Sequence, residues 1–202
     1  MAIKVLAVSG SMRPQSQGRG ALQLILEAAQ ERGAQTRMLD LCEIDLPMFR
    51  PGASTQSDSV LQALEAVQWA DVFILGTPDY HGSMSGAMKN FLDYHWREFA
   101  GKLFAYLCTS HEKGLTAMEQ MRTAVRQCYG WSLPYGVSFD GKDAFLADGQ
   151  LQNEQLAARL QMTARDLVTY GTVIRDQFER DLHSDENQTF AARYRKSLPQ
   201  VS

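Results

Sequence analysis

The chain has 202 residues, of which 45 % are hydrophobic and 21 % are charged, and its formal net charge is −3. A chain of this length buries roughly 70 % of its unfolded surface, so its fold needs no metal or disulfide. The basic residues are scattered, which argues against the concentrated positive charge that nucleic-acid binding requires. No stretch approaches the roughly 20 apolar residues of a membrane span, the first residues lack the features of a signal peptide, and the three cysteines form no C-x-x-C pair. We therefore expect a cytoplasmic protein with no nucleic-acid or membrane partner.

Five short apolar runs bounded by turn residues are predicted to form strands. They cover residues 3–9, 36–41, 72–76, 103–108 and 133–139. The first, third and fourth runs lack strict alternation with polar residues, which is typical of strands that are covered on both faces. A parallel sheet is the arrangement in which such strands are common.

Segments with apolar residues at helical spacing lie between and after these strands. The stripes are Leu22, Ile25, Leu26 and Ala29; Val60, Leu64 and Val67; Met88, Leu92, His95 or Trp96, and Phe99; Leu115, Met118, Met121, Val125 and Tyr129; and Leu156, Leu160, Leu167, Ile174 and Phe178. Strand and helix alternate five times, which predicts an α/β fold with a parallel sheet.

The chain is predicted to divide into a main domain, residues 1–180, and a tail, residues 181–202. The tail is polar and contains a small amphipathic element at residues 190–194. It could pack on a second subunit as an arm, or its last residues could simply fray.

The loop that follows the first strand has the composition of an anion site. It reads SGSMRPQSQGR and offers hydroxyl groups at Ser11 and Ser16, a guanidinium at Arg13, and glycines before the next helix. Free backbone amides and the positive end of a helix dipole favour a phosphate there. Arg13 and Arg19 have the wrong sign for that end of the dipole, and a bound phosphate would reconcile them. In the alternative interpretation both arginines are solvated, Ser16 only caps the helix and the glycines form a turn.

The loop that follows the third strand reads TPDYHGSMSGAMKNFLDY and begins at residue 77. Pro78 stiffens its start, and Gly82 and Gly86 allow the backbone to approach a flat ligand closely. In the doubly wound strand order 2-1-3-4-5, the ligand crevice lies where the first and third strands separate, at their carboxyl ends. Both unusual loops are therefore expected at one crevice. His81 has two interpretations. It is either a surface or core histidine, or a catalytic one.

The segments GSMRPQS and PDYHGSMSGAMKNFLD resemble the two signatures of the NADPH-dependent FMN reductase family, G-S-x-R-x-x-S and P-x-Y-x-x-S-x-x-G-x-x-K-N-x-x-D. The resemblance extends over residues 2–179. It implies a flavodoxin-like three-layer α/β sandwich, with a five-stranded parallel sheet of order 2-1-3-4-5 and helices on both faces. It also implies FMN as cofactor, NADPH or NADH as co-substrate, and a homodimer or homotetramer.

Site residues follow from the resemblance by position. The FMN phosphate would be held by Ser11, Arg13 and Ser16. The isoalloxazine ring would be lined by Pro78, Asp79, Tyr80, His81, Gly82 and Ser83. Further flavin contacts would come from Thr109, Ser110, His111 and Gly114. Two features depart from the family pattern, because Gly18 stands where Asn is frequent, and CTSHEKGLT replaces a glycine-rich loop after the fourth strand.

The resemblance implies an enzyme that passes a hydride from NAD(P)H to FMN and then to a small-molecule acceptor by a ping-pong mechanism. The acceptor would be free flavin, a quinone, an azo or nitro compound, or a metal oxyanion. Because the cofactor supplies the chemistry, no catalytic side chain and no metal site is expected. The alternatives are a flavodoxin-like electron carrier and an FMN-binding protein, both without nicotinamide turnover.

Overall fold

The computed structural model describes residues 1–52, 57–145 and 150–197. The strands are β1 (Lys4–Ser9), β2 (Gln35–Asp40), β3 (Val72–Pro78), β4 (Leu103–Thr109), β5 (Trp131–Ser132) and β6 (Val137–Phe139). The helices are α1 (Gln17–Gln30), α2 (Asp58–Trp69), α3 (Gly86–Tyr94), α4 (Leu115–Gln127), α5 (Gly141–Ala144), α6 (Glu154–His183) and α7 (Phe190–Ser197). A single 3₁₀ turn, Arg97–Phe99, follows α3.

The strands form one parallel sheet in the order β2-β1-β3-β4-β5, and β6 also pairs with β4. This order confirms the predicted arrangement. The predicted bounds of the fifth strand, residues 133–139, were wrong. Two short strands, β5 and β6, are present instead, and a break in the chain's strand structure separates them. Pro134 lies in the break and has no N–H to donate to a neighbouring strand. The carbonyl of Leu133 accepts a hydrogen bond from the Arg122 guanidinium at 2.6 Å.

Helices cover both faces of the sheet and bury two separate apolar clusters. One cluster joins the sheet to α1 and α6, and its centre includes Ile74 from β3. The other joins the sheet to α2, α3 and α4. There Phe73 and Phe104 stack with ring centroids 4.6 Å apart. Every residue of β3 from Val72 to Thr77 is buried, which is why this strand lacks polar alternation.

Helix α3 uses most of its apolar surface within its own chain. Met88, Phe91 and His95 are buried, and the hydroxyl of Tyr94 donates to the carbonyl of Pro47. Trp96, in contrast, is 67 % exposed. The broad core of the chain therefore explains most of the apolar side chains that the sequence shows on this helix.

The C-terminal segment packs against the main part of the chain. Helix α6 continues past residue 180 and ends at His183. Helix α7 contains the predicted amphipathic element, and its Phe190 stacks on Tyr129 at 4.7 Å and on Phe178 at 6.1 Å. None of the helices in the described part of the chain has the length and hydropathy needed to cross a membrane.

Candidate functional site

A cleft of about 410 Å³ lies at the carboxyl ends of β1, β3, β4 and β6. Its walls are formed by Ser11, Arg13, Gln15, Ser16, Gln17, Gly18, Pro78, Asp79, Tyr80, Thr109, Ser110, His111, Asp140, Gly141 and Lys142. The cleft lies where the doubly wound strand order predicts a ligand site.

The loops after β1 and β3 are held together at Gly10. Its amide donates to the carbonyl of Gly76 at 2.7 Å, and its own carbonyl accepts from the hydroxyl of Ser85 at 2.6 Å. A Cβ atom on Gly10 would lie 2.9 Å from the Cβ of Met88, so a larger residue would push the loops apart. Ser85 also caps α3 by accepting from the amide of Met88, which fixes the start of that helix beside the cleft.

The first loop presents an uncompensated positive charge at the start of α1. Ser16 caps the helix by accepting from the Arg19 amide, and Ser11 accepts from the Arg13 amide, both at 3.3 Å. The first-turn amides of Gln17 and Gly18 have no helical acceptor by geometry. Within the described part of the chain, no acceptor pairs with the exposed Arg13 guanidinium. This combination suits a phosphate group.

Arg19 has a different role from Arg13. Its guanidinium lies 3.0 Å from Oδ2 of Asp40, in ion-pair rather than hydrogen-bond geometry, and 2.6 Å from Oε1 of Glu43. Two carboxylates thus balance a charge that the sequence interpretation assigned to a phosphate. That part of the sequence interpretation was wrong, because Asp40 lies at the end of β2 and Glu43 in the loop after it.

Two glycines bring three loops into close contact at the floor of the cleft. A Cβ on Gly18 would lie 2.9 Å from Oγ1 of Thr109. A Cβ on Gly141 would overlap Oε1 of Gln17. The departure from the family pattern at Gly18 therefore has a steric reason, since an asparagine there would displace Thr109.

The loop after β3 turns away from the cleft at His81. Tyr80 and Ser83 exchange backbone hydrogen bonds of 2.9 and 3.1 Å, and the two residues between them take positive φ values, 57° at His81 and 75° at Gly82. Such a tight turn exposes both of its central residues. The Ser83 hydroxyl donates to Oε1 of Gln120 on α4. His81, Gly82 and Ser83 are therefore not among the residues that line the cleft, and their flavin contacts stay predictions.

Asp79 carries an unmet acceptor in the wall of the cleft. Its Oδ2 accepts from the Ser110 hydroxyl at 2.8 Å, and its backbone amide donates to the carbonyl of Thr109 at 2.9 Å. Its Oδ1 is buried and has no hydrogen-bond partner in the described part of the chain. A buried acceptor without a partner is costly, so this atom favours a ligand that brings a donor.

The loops after β4 and β6 are joined by a histidine and an aspartate. Nδ1 of His111 lies 2.7 Å from Oδ2 of Asp140. The other carboxylate oxygen accepts from the Lys142 amide at 3.0 Å, and these hydrogen bonds lower the pKa of Asp140. Gly114, in contrast, begins α4 with φ of 58° and lies behind the buried Cys108 side chain, away from the cleft walls.

The sequence interpretation missed several residues of the cleft, namely Gln15, Gln17, Gly18, Asp140, Gly141 and Lys142. The convergence of loops at the carboxyl ends of parallel strands was the signal that could have found the last three. These three residues directly follow β6, which ends at Phe139.

These residues fit FMN. Its phosphate group matches the unpaired guanidinium of Arg13, the two serine hydroxyls beside it and the first-turn amides of α1. Its flat ring carries one N–H donor, which matches the unmet Oδ1 of Asp79. Gly18 and Gly141 let the loops that form these walls pack closely against Thr109 and Gln17.

Known proteins support this assignment at the level of the family. A family model described as NADPH-dependent FMN reductase matches residues 3–144. The chain is 30 % identical to an NADPH azoreductase of Bacillus sp. (strain OY1-2), in a match that covers 86 % of this chain and 96 % of that protein. It is 27 % identical to an FMN-dependent NADPH-azoreductase of Staphylococcus saprophyticus, with 83 % and 95 % covered.

Solved structures confirm the flavodoxin-like fold. The flavoenzyme NAD(P)H:(acceptor) oxidoreductase FerB from Paracoccus denitrificans superposes with a TM-score of 0.72 at 22 % identity, covering 85 % of this chain and 98 % of that one. A flavodoxin from the domain Archaea superposes with a TM-score of 0.60 at 10 % identity, covering 84 % and 99 %. Together with the family match over residues 3–144, the fold and the two loops confirm the resemblance seen in the sequence. The chain belongs to the NADPH-dependent FMN reductase family.

Proposed function

We propose that the chain takes electrons from NAD(P)H onto FMN held in the cleft and then passes them to a small-molecule acceptor. Candidate acceptors are free flavin, quinones, azo and nitro compounds, and metal oxyanions. Azo compounds come first, because the two curated relatives described above are named as azoreductases. One observation carries the proposal: the unpaired Arg13 guanidinium and the unmet Oδ1 of Asp79 belong to the walls of one cleft.

Each group of residues has a separate task in this proposal. Ser11, Arg13 and Ser16 bind the phosphate, with the first-turn amides of α1. Pro78, Asp79, Tyr80, Thr109 and Ser110 would hold the ring. Bound FMN supplies the hydride chemistry, while the protein orients it and limits the access of water.

The resemblance also implies that His81, Gly82 and Ser83 line the ring and that Gly114 makes a flavin contact, but these residues lie outside the walls of the cleft. We propose that Ser83 acts from a distance, because its hydrogen bond to Gln120 anchors the turn on α4. Gly114 would similarly shape the loop that carries Ser110, since its positive φ permits the start of α4.

We also propose a ping-pong mechanism, in which the nicotinamide and the acceptor occupy the space beside FMN in turn. We also propose that the chain forms a homodimer or homotetramer, because Trp96 and Tyr129 expose 67 % and 58 % of their surface on one side of the molecule.

Anaerobic spectroscopy tests the proposed function. Purified protein loaded with FMN is mixed with NADPH or with NADH in the absence of oxygen, and the visible absorbance of the flavin is followed. We expect the yellow colour to bleach and to return when a quinone or an azo dye is added. Initial rates at several concentrations of both substrates should give parallel double-reciprocal lines. Protein that binds FMN and stays yellow with both nucleotides would contradict the proposal and would indicate an electron carrier or an inactive flavin-binding protein.

A further inference from the structure

The hydrogen-bonded pair of His111 and Asp140 lies in the wall of the cleft. The two residues come from different loops, after β4 and after β6, and their side chains meet at 2.7 Å. The carboxylate of Asp140 is itself held by the Lys142 amide. One ring nitrogen of His111 is thus committed to Asp140, while Nε2 pairs with no group in the described part of the chain.

The proposed reaction needs a proton as well as a hydride. When a hydride adds to one oxygen of a quinone, an electron pair moves through the ring to the opposite oxygen, which must take a proton to give the hydroquinone. The sum is quinone plus NADPH plus H⁺ giving hydroquinone plus NADP⁺. An azo group likewise takes up one hydride and one proton to become a hydrazine. A side chain at the cleft that can hold and release a proton near neutral pH would assist this step.

Histidine is the side chain best suited to that task, because its charge ordinarily changes between pH 5 and 8. His111 is the only histidine among the residues that line the cleft in the described part of the chain. The Asp140 carboxylate on Nδ1 fixes the orientation of the ring, as in other histidine pairs that move protons. The side chain is 68 % exposed, so it can recover a proton from water after each turnover.

We propose that His111 donates the proton that accompanies the hydride to the acceptor, through Nε2, and that Asp140 positions the ring for this transfer. This inference rests on the proposed function. In each cycle the Nε2–H bond breaks, a bond from hydrogen to the acceptor forms, and the neutral imidazole takes a proton back from solvent.

The first test compares two electron acceptors with the same reduced protein. Protein loaded with FMN is reduced with dithionite and mixed in a stopped-flow instrument with a quinone or with ferricyanide, which accepts electrons without a proton. The measured quantity is the rate of reoxidation by quinone divided by the rate by ferricyanide. General acid catalysis contributes about 100-fold at the lower end of its usual range, so His111→Gln should lower this ratio by about 100-fold. Asp140→Asn should lower it less.

Two variants serve as controls for this ratio. His183 lies at the end of α6, and its Nδ1 contacts the carbonyl of Glu179, so His183→Gln should leave the ratio unchanged. Tyr80 also brings an O–H group to the wall of the cleft, and Tyr80→Phe tests whether it donates the proton. The inference is wrong if Tyr80→Phe lowers the ratio and His111→Gln does not. It is also wrong if His111→Gln slows both acceptors equally, because that outcome reports misplaced FMN.

The second test needs no activity. Nitrogen-15 NMR of the protein without FMN reports which ring nitrogen of neutral His111 carries the proton. We expect Nδ1 in the native protein, because Oδ2 of Asp140 accepts from it. In Asp140→Asn the amide group should donate to Nδ1 and move the proton to Nε2, while the new side-chain oxygen still accepts from the Lys142 amide. A neutral native ring that carries its proton on Nε2 would overturn the role of Asp140.

The use of dithionite separates the two proposals. If NADPH fails to bleach the flavin but the ratio falls in His111→Gln, the proposed nicotinamide turnover is wrong and the proton donor stands. If NADPH bleaches the flavin and the ratio is unchanged in His111→Gln, the proposed function stands and the proton donor is wrong.

Discussion

Both ends of the sheet carry a cavity lined by charged residues, but the polar groups of the two cavities differ in whether they have hydrogen-bond partners. At the carboxyl end, the Arg13 guanidinium and the buried Oδ1 of Asp79 have no partner in the described part of the chain. The cavity at the amino end is larger, about 510 Å³. There Asp71 accepts from the Lys4 amide at 2.9 Å and from the Arg175 guanidinium at 3.3 Å.

Unmet hydrogen bonds, rather than size, therefore distinguish the ligand site from the structural cavity. Lys102 illustrates the amino end, because its ammonium group donates to the carbonyl of Val67 at 2.9 Å. Burial lowers the pKa of Lys102 to about 8, and Asp71 partly opposes that effect. A perturbed pKa alone would have suggested a functional site there, whereas the hydrogen bonds indicate a structural role.

His95 is the exception at the amino end, because its polar atoms have no hydrogen-bond partners among the described residues. Its protonation gives the largest expected effect on stability. Both of its ring nitrogens are buried and have no hydrogen-bond partner among the described residues, and its ring packs edge-on against Phe91 at 4.8 Å. Burial lowers the pKa of His95 from 6.5 to about 4. Below pH 6.5 the unfolded chain binds the proton first, so stability falls as the pH drops from 6.5 to 4. The loss should reach about 3 kcal/mol at pH 4.

The measurement compares urea unfolding of the native protein and of His95→Leu at pH 7.5, 5 and 4. The free-energy difference between the two proteins should shift by about 3 kcal/mol in favour of the variant between pH 7.5 and 4. His183→Gln, at an exposed position, should show no such shift. If the difference in unfolding free energy between the native protein and His95→Leu stays constant with pH, His95 has a hydrogen-bond partner in solution. The polar groups at the amino end would then all have partners.

The two arginines of the first loop test the comparison within a single segment. Arg13→Ala should remove charge-assisted hydrogen bonds to phosphate worth roughly 1.5 to 3 kcal/mol, which weakens FMN binding by about ten- to a hundredfold. Arg19→Ala should instead destabilise the fold by about 1 to 3 kcal/mol, because it leaves the buried Asp40 carboxylate without its ion pair.

Fluorescence titration with FMN and thermal unfolding without FMN separate these two effects. We expect the first variant to change the titration and the second to change mainly the melting temperature. Unchanged FMN affinity in Arg13→Ala would remove the phosphate assignment. A large loss of FMN affinity at unchanged stability in Arg19→Ala would show that the carboxylates do not account for its charge.

Much of this architecture follows from local patterns in the sequence. The buried strands are visible as apolar runs, and Lys89 and Asp93, which stand four residues apart on α3, form an ion pair at 2.6 Å. The two loops of the cleft were also found, because glycine, proline and hydroxyl residues are concentrated at the ends of two strands. These features depend on residues that are close in sequence.

The missed features depend on residues that are distant in sequence. Arg19 pairs with Glu43, 24 positions away, so its neutralisation could not be inferred from the loop alone. The break before β6 depends on Pro134 and on the Arg122 guanidinium from α4, and this break sets where Asp140 emerges. Whether His81 lines the cleft depends on the geometry of its turn, and the composition of the loop does not fix that geometry.

Asp79 and Asp71 give the smallest expected effect and the most direct comparison of the two ends. Asp79→Asn replaces an unpaired buried carboxylate oxygen with a neutral group, so the protein without FMN should gain about 1 kcal/mol, or about 2 to 4 °C in melting temperature. Its affinity for FMN should fall about fivefold, as a loss of 1 kcal/mol implies, because the ring N–H loses a charged acceptor.

Asp71→Asn makes the same chemical change at the amino end, where the carboxylate has partners in Lys4 and Arg175. It should therefore destabilise the protein by about 1 kcal/mol and leave FMN affinity unchanged. Thermal unfolding without FMN and fluorescence titration with FMN measure both variants. If the two substitutions shift the melting temperature in the same direction, the difference between the ends does not lie in hydrogen-bond satisfaction. Opposite signs, with FMN affinity reduced only in Asp79→Asn, would show that the carboxyl end gives up stability to keep an acceptor ready for its ligand.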